Sequence, residues 1–200
     1  MLVEVDAPRY QEARNALIRF AELVKSPEHI HTYRLTPLSI WNARAAGVPV
    51  EEMVGTLHQF SKYPVPEHVA TELQDYANRY GRLQLLRDEE GLVLAANDSA
   101  LAAEIAHAKE VAPLLRRLPG AGRFQVAAAD RGKLKLALVK IGYPAHDLAG
   151  YTEGDPLSLE TRATTRAGDS FTCRPYQREA AQLFSAGGRP DGGSGVIVLP

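Results

Sequence analysis

The 200-residue sequence predicts an α+β fold. Three observations carry that prediction. Between residues 36 and 96, three segments of helical period are followed by two segments of strand period around a turn. After residue 123 a strand-like run leads into a helix-like run. At the far end a helical segment leads, through a glycine-rich loop, into the unbroken apolar run "VIVL" (196–199), the pattern of a parallel strand covered on both faces.

In chain order, the first expected element is a helix over 6–25. Asp6 stands at its cap, Pro8 in its first turn, and Ala13, Leu17, Phe20, Ala21 and Val24 on one face. Thr36-Pro37 then gives a cap and a first-turn proline, Leu38, Trp41 and Ala45 share a face, and Gly47 ends that helix. Pro49, Glu51 and Glu52 open the next, with Met53, Leu57 and Phe60 on one side. "KYPVPEH" breaks the chain. A third helix carries Val69, Leu73, Tyr76 and Tyr80 and closes at Gly81. The period then changes: "RLQLL" and "LVLAA" flank "RDEEG", where Gly91 can take a positive φ. Three short helices and then a hairpin is the order of a winged helix. Its third helix holds Glu67, Glu72 and Asp75 against Arg79, a charge balance that repels phosphates.

Asp98-Ser99 caps a further helix through Leu101, Ile105 and Ala108, and "LPGAG" (118–122) marks a boundary. A strand at 124–127 and a helix from Asp130 to Ile141 follow, ended by Gly142 and Pro144. "LSLE" (157–160) reads as another strand, "TRATTRAGDS" as a polar linker, and the segment from Pro175 to Gly187 as a helix.

Composition is that of a globular chain: 45% hydrophobic, 24% charged, net charge −1. That balance excludes a global bias toward polyanions or membranes, yet it is uneven. Residues 109–140 hold eight basic side chains against two acidic ones, an electrostatic footprint for a polyanion. Arg116, Arg117, Arg131, Lys133 and Lys135 are the candidate contacts to a phosphate backbone. One cysteine, Cys173, rules out an intrachain disulfide and fits a reducing compartment. No segment reads as a signal peptide or membrane span, so the protein is expected in the cytoplasm.

Other chemistries find little support. Glu51-Glu52 opens a helix, where carboxylates favour the positive end of the dipole, and Asp88-Glu89-Glu90 fills a turn. His29, His31, His58, His68, His107 and His146 show no zinc-ligand spacing, so no metal site is expected. Neither a serine nucleophile elbow nor a catalytic cysteine signature occurs. "AGGRPDGGSG" lacks the Lys-Ser/Thr of a phosphate loop and precedes its strand instead of following it.

"RPYQREAAQLF", the glycine-rich loop and "SGVIVLP" together resemble the front edge of the first RecA-like domain of superfamily 2 helicases, and specifically the XPB family of DNA repair and transcription helicases. The block "YRLTPLSIWNARAAGVPVEEMVGTLHQFSKYPVP…YGRLQLL" independently resembles that family's N-terminal domain. The resemblance covers roughly 28–200. After the N-terminal helix (1–27) read from its spacing, it implies a winged-helix-like domain (28–118), a small α/β damage-recognition-like domain (119–165), and the first helix and strand of a RecA-like domain (166–200), with the chain stopping just before the ATP-binding Gly-Lys segment. It also implies an ATP-dependent 3′–5′ DNA helicase as parent, using ATP and Mg²⁺. Gln177, with Arg174, would read adenine, since an amide both donates and accepts. Implied partners are duplex or forked DNA, and a repair nuclease or other protein at residues 30–108, in a bacterial nucleoid. Alternative readings are a DNA-binding winged-helix regulator and a protein-interaction scaffold. Because these 200 residues hold no Walker A lysine and no carboxylate motif for Mg²⁺, they should not hydrolyse ATP by themselves. DNA-stimulated phosphate release by the purified chain would overturn that expectation.

Overall fold

The computed structural model describes residues 1–89, 91–120, 122–150, 154 and 157–188. They belong to two compact units, Met1–Leu148 and Ala149–Pro200.

The first unit opens with a small antiparallel sheet. Strands β1 (Leu2–Glu4), β2 (Glu22–Lys25) and β3 (Ile30–Arg34) pair in the order β1-β3-β2, with helix α1 (Tyr10–Leu17) between the first two. The helix expected over 6–25 is therefore shorter. Phe20 and Ala21 stay buried in the direction that helical spacing suggested, but the chain turns after Leu17 and its next backbone groups go to β3, with Leu23 opposite Tyr33. Asp6 does not cap α1. Arg9 holds that position without a side-chain cap bond, and the Asp6 carboxylate lies 3.3 Å from His29 Nδ1.

Helices α2 (Pro37–Ala45), α3 (Val50–Phe60) and α4 (Glu67–Arg79) follow as the sequence predicts. At the head of α2, Thr36 Oγ1 accepts from the Ser39 N–H and Ser39 Oγ accepts from the Thr36 N–H, each at 3.0 Å, which satisfies two orphan donors reciprocally. Trp41 is buried. Its indole N–H donates to the Tyr76 carbonyl at 2.8 Å, and the two rings meet edge to face at 6.5 Å. Leu17, Phe20, Tyr33, Ile40, Met53, Leu57 and Leu73 form the core that joins this sheet to the helices.

A second sheet completes the unit. Strands β4 (Leu83–Asp88) and β5 (Gly91–Ala96) form the expected hairpin. Then come α5 (Ser99–His107), capped by Asp98 through the Leu101 N–H at 2.7 Å, and β6 (Arg116–Arg117), β7 (Arg123–Val126), α6 (Arg131–Lys140) and β8 (Ala145–Asp147). The strand order is β6-β7-β5-β4-β8, antiparallel except for the parallel β4–β8 pair. The "LPGAG" stretch turns the chain between β6 and β7, and β7 pairs with β5, so the hairpin and the αβ segment after it share one sheet. Gly122 sits there at φ +74°, where a Cβ would come within 3.2 Å of the Ala96 carbonyl oxygen.

Two crossovers, β5–α5–β6 and β7–α6–β8, each connect strands that run the same way. Right-handed connection of both lays α5 and α6 on one face of the sheet. Leu83, Leu85, Leu92, Leu94, Phe124 and Val126 share one face by register and are buried, as are Leu101, Ile105, Leu134 and Leu138 of the helices.

In the second unit the described element is α7 (Pro175–Ser185), as predicted. Residues 157–160 form no strand. Leu157 and Leu159 are 77% and 82% exposed, and among the described residues this alternating run has no neighbouring strand to pair with. The predicted terminal strand, 195–200, lies outside the described residues. Among the described residues no helix is long and apolar enough to cross a membrane.

Candidate functional site

The basic stretch 109–140 is not one continuous face. Five of its eight cations have an acidic partner: Arg123 with Asp88, Lys133 with Asp130, Lys140 with Glu110, and both Arg131 and Lys135 with Asp147. Lys109, Arg116 and Arg117 have none among the described residues.

The Asp147–Arg131 pair is the most buried of these pairs. Positions 131 and 135 are one helical turn apart, so α6 presents both side chains to the same spot. The register Leu85↔Asp147 puts the carboxylate on the helix-covered face of the sheet. Arg131 Nε and Nη2 reach Asp147 Oδ2 and Oδ1 at 3.0 and 2.7 Å, and Lys135 Nζ reaches Oδ2 at 3.0 Å. The Asp147 side chain is 14% exposed and that of Arg131 20%. Burial alone would raise the Asp147 pKa; the hydrogen bonds and charges of Arg131 and Lys135 outweigh it and hold it below its ordinary value. Arg131 and Lys135 thus use their charge within the fold.

The five candidate phosphate contacts fall into two groups. Arg131, Lys133 and Lys135 belong to α6, which reaches the β8 edge of the sheet. Arg116 and Arg117 form β6, the opposite edge. Four strand spacings of about 4.8 Å put those edges about 19 Å apart. Arg117 also lines a groove with Ala106, His107, Ala112, Leu115 and Phe124, with a volume of about 360 Å³. The acidic residues of α4 stay solvent-facing: Glu67, Glu72 and Asp75 are all exposed.

The second unit places Arg174 and Gln177 at the start of α7, with Pro175 in the first turn where its missing N–H costs nothing. The Gln177 side chain folds back, and its Oε1 accepts from the Arg174 backbone N–H at 2.9 Å. That bond fixes the amide and leaves its NH₂ as a donor. Arg174 and Arg178 line an open groove of about 670 Å³ with Thr161, Phe171, Thr172, Cys173 and Pro175. Two guanidinium groups and one aromatic ring line this groove, a combination that suits a planar ligand carrying negative charge. No group of His, Cys, Asp or Glu among the described residues is arranged to hold a metal ion.

One cluster had no signal in the sequence. The Arg79 guanidinium lies 5.5 Å from the ring centres of both Tyr76 and Tyr143, which ties the helical part of the unit to the loop before β8. Arg82 stacks on Tyr143 at 5.8 Å and donates to Asp98 at 2.7 Å. Spacing along the chain brings only Tyr76 and Arg79 together, as an i, i+3 pair.

Comparison with known proteins gives consistent results. A family model described as "Helicase conserved C-terminal domain" matches residues 1–118, from β1 to the turn after β6. The chain is 47% identical over its whole length to a protein of Kineococcus radiotolerans named DNA 3′-5′ helicase XPB, of which it covers 34%. It is 43% identical, again over its whole length, to the protein of the same name from Mycobacterium tuberculosis, covering 35% of that chain. A general transcription and DNA repair factor IIH helicase/translocase subunit XPB from Enterocytozoon bieneusi is 26% identical along all of this chain and is 32% covered. The chain spans about a third of the length of these curated relatives.

Proposed function

The chain belongs to the XPB family of helicases, and from that we propose that it is the part of an ATP-dependent 3′–5′ DNA helicase or translocase, acting in DNA repair, that positions DNA or a partner protein and supplies the adenine-reading glutamine. The observation that carries this reading is the alignment with bacterial XPB helicases along all 200 residues. The parent would act in the cytoplasm, on nucleoid DNA.

Within this reading, α2, α3 and α4 followed by the β4–β5 hairpin form a winged-helix-like module. Its exposed carboxylates on α4 favour a protein partner at residues 30–108, such as a repair nuclease, over DNA contact there. Residues 119–165, with β7, α6 and β8, stand where the family places damage recognition. Residues 166–200 begin the RecA-like domain, and ATP with Mg²⁺ is the cofactor of the complete enzyme.

The groove at the start of α7 fits the base of ATP. Arg174 lines that groove and offers a planar cation for stacking; Gln177 is not one of its lining residues, but it stands on the same first turn of α7, anchored through its oxygen, and would offer its NH₂ to a ring nitrogen of adenine. When bound, the nucleotide supplies the phosphoryl group whose transfer drives movement along DNA; this chain's residues hold and orient its base. Gln177→Ala in the complete enzyme should weaken ATP binding about tenfold, as for one buried polar contact. Unchanged affinity in a nucleotide titration would remove the assignment.

Arg116, Arg117 and Lys133 are free or only weakly held at the surface and are the cations best placed for phosphate, whereas Arg131 and Lys135 would first have to leave Asp147. Fluorescence anisotropy with duplex, forked and single-stranded DNA at two salt concentrations tests this. Charge reversal at Arg116 and Arg117 together should weaken binding and lower the logarithmic salt slope by about two. No binding even at low salt would leave the chain a partner-docking scaffold.

A further inference from the structure

We propose that the groove between the end of α5 and β6 holds one unpaired nucleotide of a DNA strand. The proposal rests on the DNA-engaging reading above.

The backbone geometry comes first. The Leu118 N–H donates to the Arg123 carbonyl at 3.1 Å, so residues 118 and 123 form a hydrogen-bonded pair across β6 and β7. Such pairs alternate along an antiparallel ladder. Arg116↔Gln125 is therefore hydrogen-bonded, and Arg117↔Phe124 is not. On the other side, the Ala96 N–H donates to the Gly122 carbonyl at 2.9 Å, which assigns the Phe124 N–H and C=O to β5 and agrees with that alternation. Because β6 is an edge strand, the backbone N–H and C=O of Arg117 point away from the sheet.

A donor and an acceptor side by side is what the edge of an unpaired base requires. In the groove that Arg117 lines beside this edge, Ala106, Ala112, Leu115 and Phe124 supply apolar walls for a base and sugar. The Arg117 guanidinium, without an acidic partner among the described residues, supplies charge for the adjoining phosphate. His107 keeps Nδ1 on the Ala103 carbonyl at 2.7 Å, which leaves the other ring nitrogen for a ligand. At about 360 Å³ the groove is at the small end of ligand sites, suited to one nucleotide. A base inside a duplex has its pairing edge occupied and cannot enter. An added peptide strand finds only two residues of β6 to pair with, too short a ladder for strand addition.

The test uses the full 200-residue chain and two fluorescein-labelled probes, an oligothymidylate of about 15 nucleotides and a duplex of the same length, long enough to span a single-strand site. Arg117→Ala removes the cation, and Ala112→Leu fills the groove without touching charge. Each should weaken oligothymidylate binding about tenfold; Ala112→Leu should leave duplex binding within about twofold, whereas Arg117→Ala also removes one general phosphate contact and should weaken duplex binding by less than it weakens oligothymidylate binding. The Arg117 backbone amide resonance should shift when oligothymidylate is added. Single-strand binding unaffected by either variant would overturn the proposal and leave the DNA reading intact. Failure of the unmodified chain to bind either probe would overturn both. If an acidic peptide shifts the Arg117 amide and oligothymidylate does not, the groove belongs to a protein partner and the proposal is wrong.

Discussion

Trp41→Ala should destabilise the first unit by about 3–5 kcal/mol, the range for truncating a buried aromatic. The indole is 4% exposed, sits edge to face on Tyr76 and donates to the Tyr76 carbonyl. Truncation opens a cavity between α2 and α4 and removes the donor from a carbonyl in the last turn of α4. Trp41→Phe keeps most of the ring volume and loses the N–H, so its cost should be about 1–2 kcal/mol. Urea unfolding reports both numbers. A midpoint shift at constant slope would place the effect in the folded state. A loss below about 1 kcal/mol for the alanine variant would show that the site collapses around the vacancy.

Asp147→Ala should cost about 3 kcal/mol, the lower end of the range for breaking a buried ion pair, because Arg131 and Lys135 both lose the carboxylate that they share. The effect has a definite pH dependence. The Asp147 carboxyl has a folded-state pKa held below its unfolded value, which is about 3.9 for aspartate. Its contribution is therefore fully present above the unfolded value and fades as pH falls through the folded one. Asp147→Asn, which keeps the shape and loses the charge, should be clearly less stable than the parent at neutral pH. The gap should narrow in acid, below about pH 4. A gap independent of pH would mean that Asp147 contributes shape and neutral hydrogen bonds instead of charge.

The sequence exposed most where structure is local. Thr36 followed by Pro37, the apolar spacing of α3 and α4, and Gly91 in the hairpin turn are short-range signals, and each element formed where it was expected. The signal failed where partners lie far away in the chain. Leu17, Phe20 and Ala21 keep helical spacing and are all buried, yet the backbone after them is recruited by β3, which nothing within 6–25 could reveal. The alternation in "LSLE" found no neighbouring strand among the described residues. The charge excess at 109–140 was visible, but its distribution was not. That depended on β8, three residues long, bringing Asp147 under α6. Similarly, Arg174 and Gln177 stand out by resemblance, whereas the hydrogen bond that turns the amide required coordinates.

The strand order also governs how the second sheet can assemble. Leu83 pairs with Ala96 across a tight hairpin, and with Ala145 only after α5, β6, β7 and α6 have been passed. Loop-closure entropy makes the first contact fast and the second slow. The hairpin should zip first as a nucleus, and β8 should close last, sealing an edge that stays open until α6 is in place. On a ribosome, this ordering would leave the outer edge of β4 exposed until synthesis has moved well beyond residue 147, and nascent chains would be most prone to wrong strand pairing in that interval.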